Sequence, residues 1–306
     1  MISYFDAHCD TVSCCLKIGW PLRSNPGQLD LERCRAFRRR AQFFALYHDA
    51  AKAPADGMWA QCRRLYDCFM QQTEENSDLV QRCRTGTEVD AAVAEGKTAA
   101  LLSIEGADLI NCDPELVDTV AAWGVKLLNL TWNRSNQISG THREEPDRGL
   151  SGQGREIVRE LERCGIYADV SHLSDAGFWD LIHMAHRPVV ASHSNSRSLC
   201  PHSRNLTDDM FRAIRDSGGV AGINLYRDFV GETGSMEELV AQVEHFLELG
   251  GEKTVCIGGD LDGCESLAAG MRGVQDVPQL YAALQQRGYS EALLEDIFWN
   301  NLRRII

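Results

Sequence analysis

Residues 6–11 read DAHCDT and place a histidine between two carboxylates close to the start of the chain. His8 and Asp10 are two residues apart, so on an extended backbone both side chains point to the same side, while Ala7 and Cys9 point to the other. This spacing suits a pair of metal ligands. A polar turn after a short first strand is the simpler explanation of an isolated His-x-Asp, so the hypothesis of a metal site needs further ligands.

Histidines and carboxylates follow later apolar segments in the same way. Glu105 ends TAALLSIE, His172 follows IYADVS, His193 follows PVVAS, and Asp260 and Asp262 follow TVCIGG. Imidazole and carboxylate groups together suit zinc or a similar divalent ion, and a carboxylate can bridge two ions. Three histidines and two carboxylates are enough for two ions if Glu105 is shared between them.

Alternating strand and helix patterns predict how these residues are positioned. Eight short apolar runs predict strands that begin near residues 3, 42, 98, 125, 166, 188, 219 and 254. Helical spacing lies between them at residues 57–72, 114–123, 154–164, 175–185, 207–217 and 236–249. Eight such units predict an α/β fold, a (β/α)₈ TIM barrel, and no linker divides residues 1–306 into more than one domain. A doubly wound open sheet is the alternative.

A parallel barrel brings the C-terminal ends of all its strands to one face, where active sites are built. The predicted ligands end or follow the first, third, fifth, sixth and eighth predicted strands. Residues that are far apart in the sequence therefore become neighbours, and the metal-site interpretation of His8 and Asp10 gains support.

Composition excludes several classes of partner. The net charge of −13 and the pI near 5.2 argue against binding to nucleic acid or to an anionic membrane surface. The start of the chain lacks the basic and apolar pattern of a signal peptide, and no run of 18 apolar residues predicts a membrane span. Twelve scattered cysteines in a chain of this length favour buried thiols in a reducing compartment, which predicts the cytoplasm.

Five segments give a specific resemblance to the membrane (renal) dipeptidase family, peptidase family M19. The segments are DAHCDT, SIEGAD, ADVSHLSD, VVASHSNSRSLCPHSRNLTDD and IGGDLDG, in this order and spacing. The resemblance implies a cytoplasmic, bacterial-type metallo-dipeptidase of the metal-dependent hydrolase barrel type. It runs from the first predicted strand to the end of the chain, and relatives of this kind commonly form homodimers.

The resemblance also implies a role for each matching residue. His8 and Asp10 would bind one zinc ion, His172 and His193 the other, and Glu105 would bridge them. Asp260 would be the acid and base beside a hydroxide that bridges the two metals. Arg204 would bind the C-terminal carboxylate of a dipeptide, for which a planar guanidinium is suited; a surface ion pair with Asp208 or Asp209 is the alternative for that arginine.

One position departs from the family pattern. Animal members have a histidine after the fourth strand that helps to bind the carbonyl of the substrate, whereas this chain reads LTWNRSN, with Trp132 at that position. Trp132 can itself contact the substrate, by packing against it or by donating one indole hydrogen bond. Asn133, Arg134 and His142 are candidates to replace the histidine, and Tyr226 is a further candidate for substrate binding.

The sequence leaves three possible functions. The first is a zinc-dependent dipeptidase for L-L and L-D dipeptides, and the second is a related enzyme that hydrolyses N-acyl amino acids or other small amides. The third is a metal-binding protein that has lost catalysis, which the presence of every implied ligand and of Asp260 disfavours.

Overall fold

The computed structural model describes all 306 residues and contains nine parallel strands. Eight of them pair in the closed order β1-β2-β4-β5-β6-β7-β8-β9, and β9 returns to β1 through the pair Asp6 and Ile257. The predicted (β/α)₈ TIM barrel is therefore confirmed and the open sheet is wrong. The strands are β1 (Ser3–Cys9), β2 (Arg39–Tyr47), β3 (Val80–Arg82), β4 (Thr98–Glu105), β5 (Val125–Asn129), β6 (Tyr167–Asp169), β7 (Val190–Ala191), β8 (Val220–Ile223) and β9 (Val255–Ile257).

Strand β3 was not predicted. It has three residues and pairs only with the start of β4, from Val80 opposite Thr98. Because it lies outside the closed ring, it leaves the barrel count at eight.

Helices connect the strands and cover the outside of the barrel, and the six predicted helical stretches are all present with shifted ends. Several helices begin where the sequence supplies a side-chain cap, as at Thr85 and Ser235, which both form capping boxes with a glutamate three residues later. The helices are α1 (Thr11–Ile18), α2 (Leu31–Cys34), α3 (Met58–Glu75), α4 (Gly86–Ala94), α5 (Val117–Trp123), α6 (Gly152–Cys164), α7 (Asp175–Met184), α8 (Asp208–Asp216), α9 (Arg227–Val230), α10 (Met236–Glu248), α11 (Val277–Gln286), α12 (Glu291–Glu295) and α13 (Asn301–Arg304), with short 3₁₀ turns at Ala50–Lys52, Ala107–Ile110, Pro114–Leu116 and Val274–Asp276 and a π-helical turn at Asp296–Asn300.

Alternate strand residues divide between two hydrophobic clusters, as the two-residue period of a strand requires. The larger cluster joins the outer strand faces to the helices and includes Phe44 and Ile104. The smaller cluster fills the barrel and includes Phe5, Phe43 and Leu101, with Trp299 near the end of the chain packed against them. The barrel is therefore a filled core, and only its mouth is open for chemistry.

A register shift in β1 changes the orientation that the sequence predicts for the first motif. Asp6 pairs with Gln42 but Cys9 pairs with Phe44, so β1 has one extra residue against β2. Ala7 belongs to the inner cluster, two residues after Phe5, so the prediction that it points outward is wrong. Cys9 belongs to the outer cluster because the extra residue reverses the alternation after Ala7. A strict period of two fails here because the bulge adds a residue.

The helices lack the combination of length and apolar composition that a membrane-spanning helix requires. All twelve cysteines are free.

Candidate metal centre

The barrel mouth brings together the five residues that the sequence predicts as metal ligands. His8 Nε2 lies 3.2 Å from Asp10 Oδ2 and 3.6 Å from Glu105 Oε2. The other oxygen of Glu105, Oε1, lies 2.9 Å from His172 Nε2 and 3.6 Å from His193 Nε2. The two oxygens of one carboxylate thus face two different groups of ligand-type atoms. All five side chains are buried.

The remaining ring nitrogens of two histidines are occupied by other side chains. His172 Nδ1 lies 2.8 Å from Asn133 Oδ1, and His193 Nδ1 lies 2.7 Å from Ser192 Oγ. When each Nδ1 donates a hydrogen to that oxygen, each Nε2 carries a lone pair. The two Nε2 atoms are 3.1 Å apart, and this is the tautomer and orientation of metal-binding imidazoles.

Three observations show that the site fits a divalent metal. Asp10 Oδ1 is buried and has no hydrogen-bond partner. A side chain at Gly263 would clash with the carboxylates of both Asp10 and Asp260, so the glycine keeps the space between them open. The three buried carboxylates of Asp10, Glu105 and Asp260 also outnumber the one buried guanidinium near them, that of Arg204, and buried carboxylates without a counter-charge are costly. A set of nitrogen and oxygen donors with no thiol is typical of zinc and similar ions.

Asp260 lies beside this cluster on the loop after β9. Ligand atoms of His8, Asp10 and Asp260 are all within 4.8 Å of one another. Asn224 Nδ2 donates to Asp260 Oδ2 at 3.0 Å, which holds the carboxylate in place. Asp260 and His172 both have a left-handed backbone, with φ of 57° and 75°. Such backbone strain in residues other than glycine is concentrated at functional sites.

Asp262 follows the same strand but has a different function. Its carboxylate accepts hydrogen bonds from Thr11 Oγ1 at 2.6 Å and from the backbone nitrogen of Gln28 at 2.5 Å. These bonds fasten the start of α1 and the segment after α1 to the loop that follows β9, so Asp262 is occupied outside the metal cluster.

The buried side chain of Asp6 holds the backbone of the first motif in place. Asp6 Oδ1 accepts hydrogen bonds from the backbone nitrogens of His8 at 3.0 Å and Gly259 at 2.8 Å. The bonds tie the bulged part of β1 to the loop that carries Asp260. Burial raises the pKa of Asp6 to about 6.

The charges at the centre depend strongly on one another. Burial disfavours the protonated form of His8, but the carboxylates of Glu105, Asp10 and Asp260 outweigh burial and raise its pKa to about 10. Burial raises the pKa of Glu105 and of Asp260. Burial, together with nearby positive charge, lowers the pKa of His172 and of His193. In the metal-free protein, therefore, the proton of His8 supplies part of the positive charge that the carboxylates require.

A cavity of about 590 Å³ opens above the cluster. Asp10, Glu105, His172 and Asp260 form part of its wall, and this volume is within the range of small-molecule sites.

Trp132 and Tyr226, which the sequence indicated for substrate binding, also line the cavity. The ring of Trp132 lies 5.0 Å from that of Tyr47, and the hydroxyl of Tyr226 donates to Asp228 Oδ2 at 3.0 Å.

Arg204 is buried, is not among the residues that line the cavity, and does not form the alternative ion pair. Asp208 binds His245 and Ser198, and Asp209 binds Arg212. Arg204 Nη1 donates to Ser194 Oγ at 2.7 Å, while Nε and Nη2 are buried without a partner. Burial lowers the pKa of Arg204 to about 10, so the side chain remains charged at neutral pH.

Two residues of the cavity wall show what the sequence analysis missed or left open. Tyr47 was not singled out, although it ends β2 directly opposite Glu105 in the sheet register. The strand-end rule applied to the other strands would have found it. Asn133 was one of three candidates to replace the missing histidine; of the other two, His142 lines the cavity and Arg134 does not.

Comparisons with known proteins identify the family of the chain and proteins of the same fold. The sequence profile described as "Membrane dipeptidase (Peptidase family M19)" matches residues 1–306. Dipeptidase aclJ from Aspergillus oryzae is 28% identical over 295 residues, which cover 92% of this chain and 69% of that protein.

Two solved structures are similar over nearly the full length. One is a metallo peptidase from Rhodobacter sphaeroides liganded with a phosphinate mimic of the dipeptide L-Ala-D-Ala. It has a TM-score of 0.91 and 27% identity, and the match covers 99% of this chain and 98% of that one. The other is dipeptidase AC, a metallo peptidase of family M19. Its TM-score is 0.92 and its identity 28%, with 99% and 97% of the two chains covered.

Proposed function

The chain belongs to the membrane dipeptidases, peptidase family M19, and is a metallo-dipeptidase; from this premise we propose that it binds two zinc ions and hydrolyses L-L and L-D dipeptides. The observation that carries the proposal is the position of Glu105, whose two oxygens face His8 on one side and the pair His172 and His193 on the other. In this proposal Asp10 completes the first set of ligands.

Held by these residues, two such ions would lower the pKa of a water enough for it to attack near neutral pH and would polarise the scissile carbonyl. Asp260 takes the proton of the attacking water and delivers it to the leaving amine. The bond from Asn224 to Oδ2 fixes the Asp260 carboxylate for this transfer. No covalent intermediate with the protein is required.

Arg204 binds the C-terminal carboxylate of the dipeptide in this proposal. The support is its charge and its two buried nitrogens without a partner, since an unsatisfied buried donor is costly until a ligand accepts from it. Trp132 and Tyr226 contact the substrate from the cavity wall.

The related hydrolysis of N-acyl amino acids is a second candidate. The half-buried aromatic pair Trp132 and Tyr47 in the cavity wall favours it, because such a surface can pack against an apolar acyl group.

A substrate panel with metal analysis tests both candidates. We expect purified protein to contain two zinc ions per chain and to cleave L-L and L-D dipeptides faster than the matching N-acyl amino acids. Faster cleavage of the acyl compounds would favour the second candidate. Protein that contains no divalent metal, or that cleaves no dipeptide, would contradict the first.

We also propose that residues 1–306 form one domain, that the protein works in the cytoplasm and that it forms a homodimer. Twelve free cysteines support a reducing compartment. Sedimentation of the purified protein tests the dimer, which a monomer at micromolar concentration would contradict.

A further inference from the structure

The attack of water on a dipeptide places negative charge on the carbonyl oxygen of the substrate, and a hydrogen-bond donor beside that oxygen stabilises the charge. Donors aimed at that oxygen are among the strongest contributions to catalysis. We propose that Asn133 supplies this hydrogen bond through its amide Nδ2, an inference that rests on the proposed function.

The amide oxygen of Asn133 is bound on two sides. Asn133 Oδ1 lies 2.8 Å from His172 Nδ1 and 3.0 Å from His142 Nε2. An amide oxygen has two lone pairs and can accept both hydrogens. The side chain is thereby held against a predicted metal ligand, and its orientation at the wall of the cavity is fixed.

The opposite orientation of the amide conflicts with metal binding. If Nδ2 faced His172, then His172 Nδ1 would have to accept a hydrogen bond, and Nε2 would carry the hydrogen. Nε2 would then direct an N–H at Glu105 and His193 and could not bind a metal. With Oδ1 facing the two histidines, both hydrogens of Nδ2 are free, because the protein provides no hydrogen-bond partner for that nitrogen.

His142, the other nearby candidate, has no hydrogen to offer. Its Nε2 is occupied by Asn133 Oδ1, and its Nδ1 lies 2.9 Å from Ser203 Oγ. When Nε2 carries the hydrogen, Nδ1 accepts from Ser203 and neither nitrogen can donate to the substrate. His142 is therefore a positioning residue that keeps the Asn133 amide in its orientation.

The substitution Asn133→Asp separates the two functions of this side chain. Aspartate has the same shape and keeps an oxygen for both histidines, but it cannot donate a hydrogen bond. We expect kcat for a dipeptide to fall by about 100-fold or more, the usual effect of removing one such donor. We expect KM to change less than threefold and the metal content to stay as in the wild type.

Three further measurements make the result specific. Arg143→Gln changes the charge of the cavity wall by the same one unit and measures the contribution of charge to the loss. Trp132→Phe removes the indole N–H, the other donor in this part of the wall, and keeps the aromatic ring. The affinity of a phosphinate analogue of Ala-Ala, whose tetrahedral oxygens resemble the attacked carbonyl, should fall in parallel with kcat in Asn133→Asp.

The outcomes are distinct. A wild type that cleaves no dipeptide contradicts the proposed function and this inference with it. If the wild type is active, Asn133→Asp with a kcat within threefold of Arg143→Gln, and with its metal retained, contradicts the inference alone. So does a 100-fold loss in Trp132→Phe without a loss in Asn133→Asp, because the indole would then be the donor.

Discussion

The substitution Asp260→Asn should nearly abolish hydrolysis while leaving the metal site in place. The change is isosteric, and the oxygen of the new amide can still accept the hydrogen bond from Asn224. What is lost is the group that takes the proton from the attacking water. Proton transfer by a positioned side chain contributes about 10²- to 10⁴-fold. We therefore expect kcat to fall by about 10³-fold, equivalent to about 4 kcal/mol of barrier.

Asp262→Asn is the matched control for this experiment. The two residues have the same type, lie two positions apart in one loop and share a left-handed backbone, with φ of 57° and 65°. Asp262 binds Thr11 and Gln28, so its replacement should lower the free energy of unfolding by about 1–3 kcal/mol through a lost acceptor. Its kcat should stay within threefold of the wild type.

The assay combines steady-state kinetics on one dipeptide with metal analysis and thermal unfolding of each variant. If Asp260→Asn keeps more than a tenth of the wild-type kcat with the same metal content, the assignment of Asp260 as acid and base is wrong. A loss of metal that accounts for the lost activity would contradict it as well.

Three further predictions follow from the geometry. Arg204→Met should raise KM for dipeptides by about 10- to 100-fold, because a charge-assisted hydrogen bond to the substrate carboxylate is worth about 1.5–3 kcal/mol. On dipeptide amides, which lack that carboxylate, the variant should differ little from the wild type. An equal effect on both substrates would count against the contact. Trp299→Ala should lower the free energy of unfolding by about 3–5 kcal/mol, since the ring is buried 5.5 Å from the ring of Phe5. The variant should retain its kcat at low temperature. An unchanged denaturation midpoint would refute the packing argument. Removal of both metals by a chelator should lower Tm by roughly 8 °C, because each of two ions present at about 100 times its Kd contributes about 2.7 kcal/mol. An unaltered Tm would mean that the buried carboxylates do not depend on bound ions.

The sequence predicted the barrel well because its signals were repeated. Each of the eight strands is a short apolar run, and each predicted helix between them has its own periodicity and start signal. Strand β3 has only three residues, of which Val80 alone is buried, so it carries almost no pattern. The bulge in β1 is accompanied by tertiary contacts, including the hydrogen bond that the backbone nitrogen of Gly259 donates to Asp6, and a local period cannot reveal it.

Some residues of the candidate site could likewise be predicted from the sequence, and others could not. His8 and Glu105 lie at the ends of apolar strands and His193 follows one, so the strand-end rule of a parallel barrel placed them together. Asn133 lies in a loop after β5, and only the distances to His172 and His142 distinguish it from its neighbours. Contacts between loops depend on the folded backbone, and no local pattern encodes them.

X-ray diffraction data collected on either side of the zinc absorption edge, from crystals of the metal-loaded protein, would test the central claim most directly. The account predicts two anomalous peaks at the barrel mouth about 3.5–4 Å apart, the usual spacing of two-metal sites. One peak should lie against His8 and Asp10, the other against His172 and His193, and Glu105 should lie between them. A single peak, or peaks bound by other residues, would contradict it.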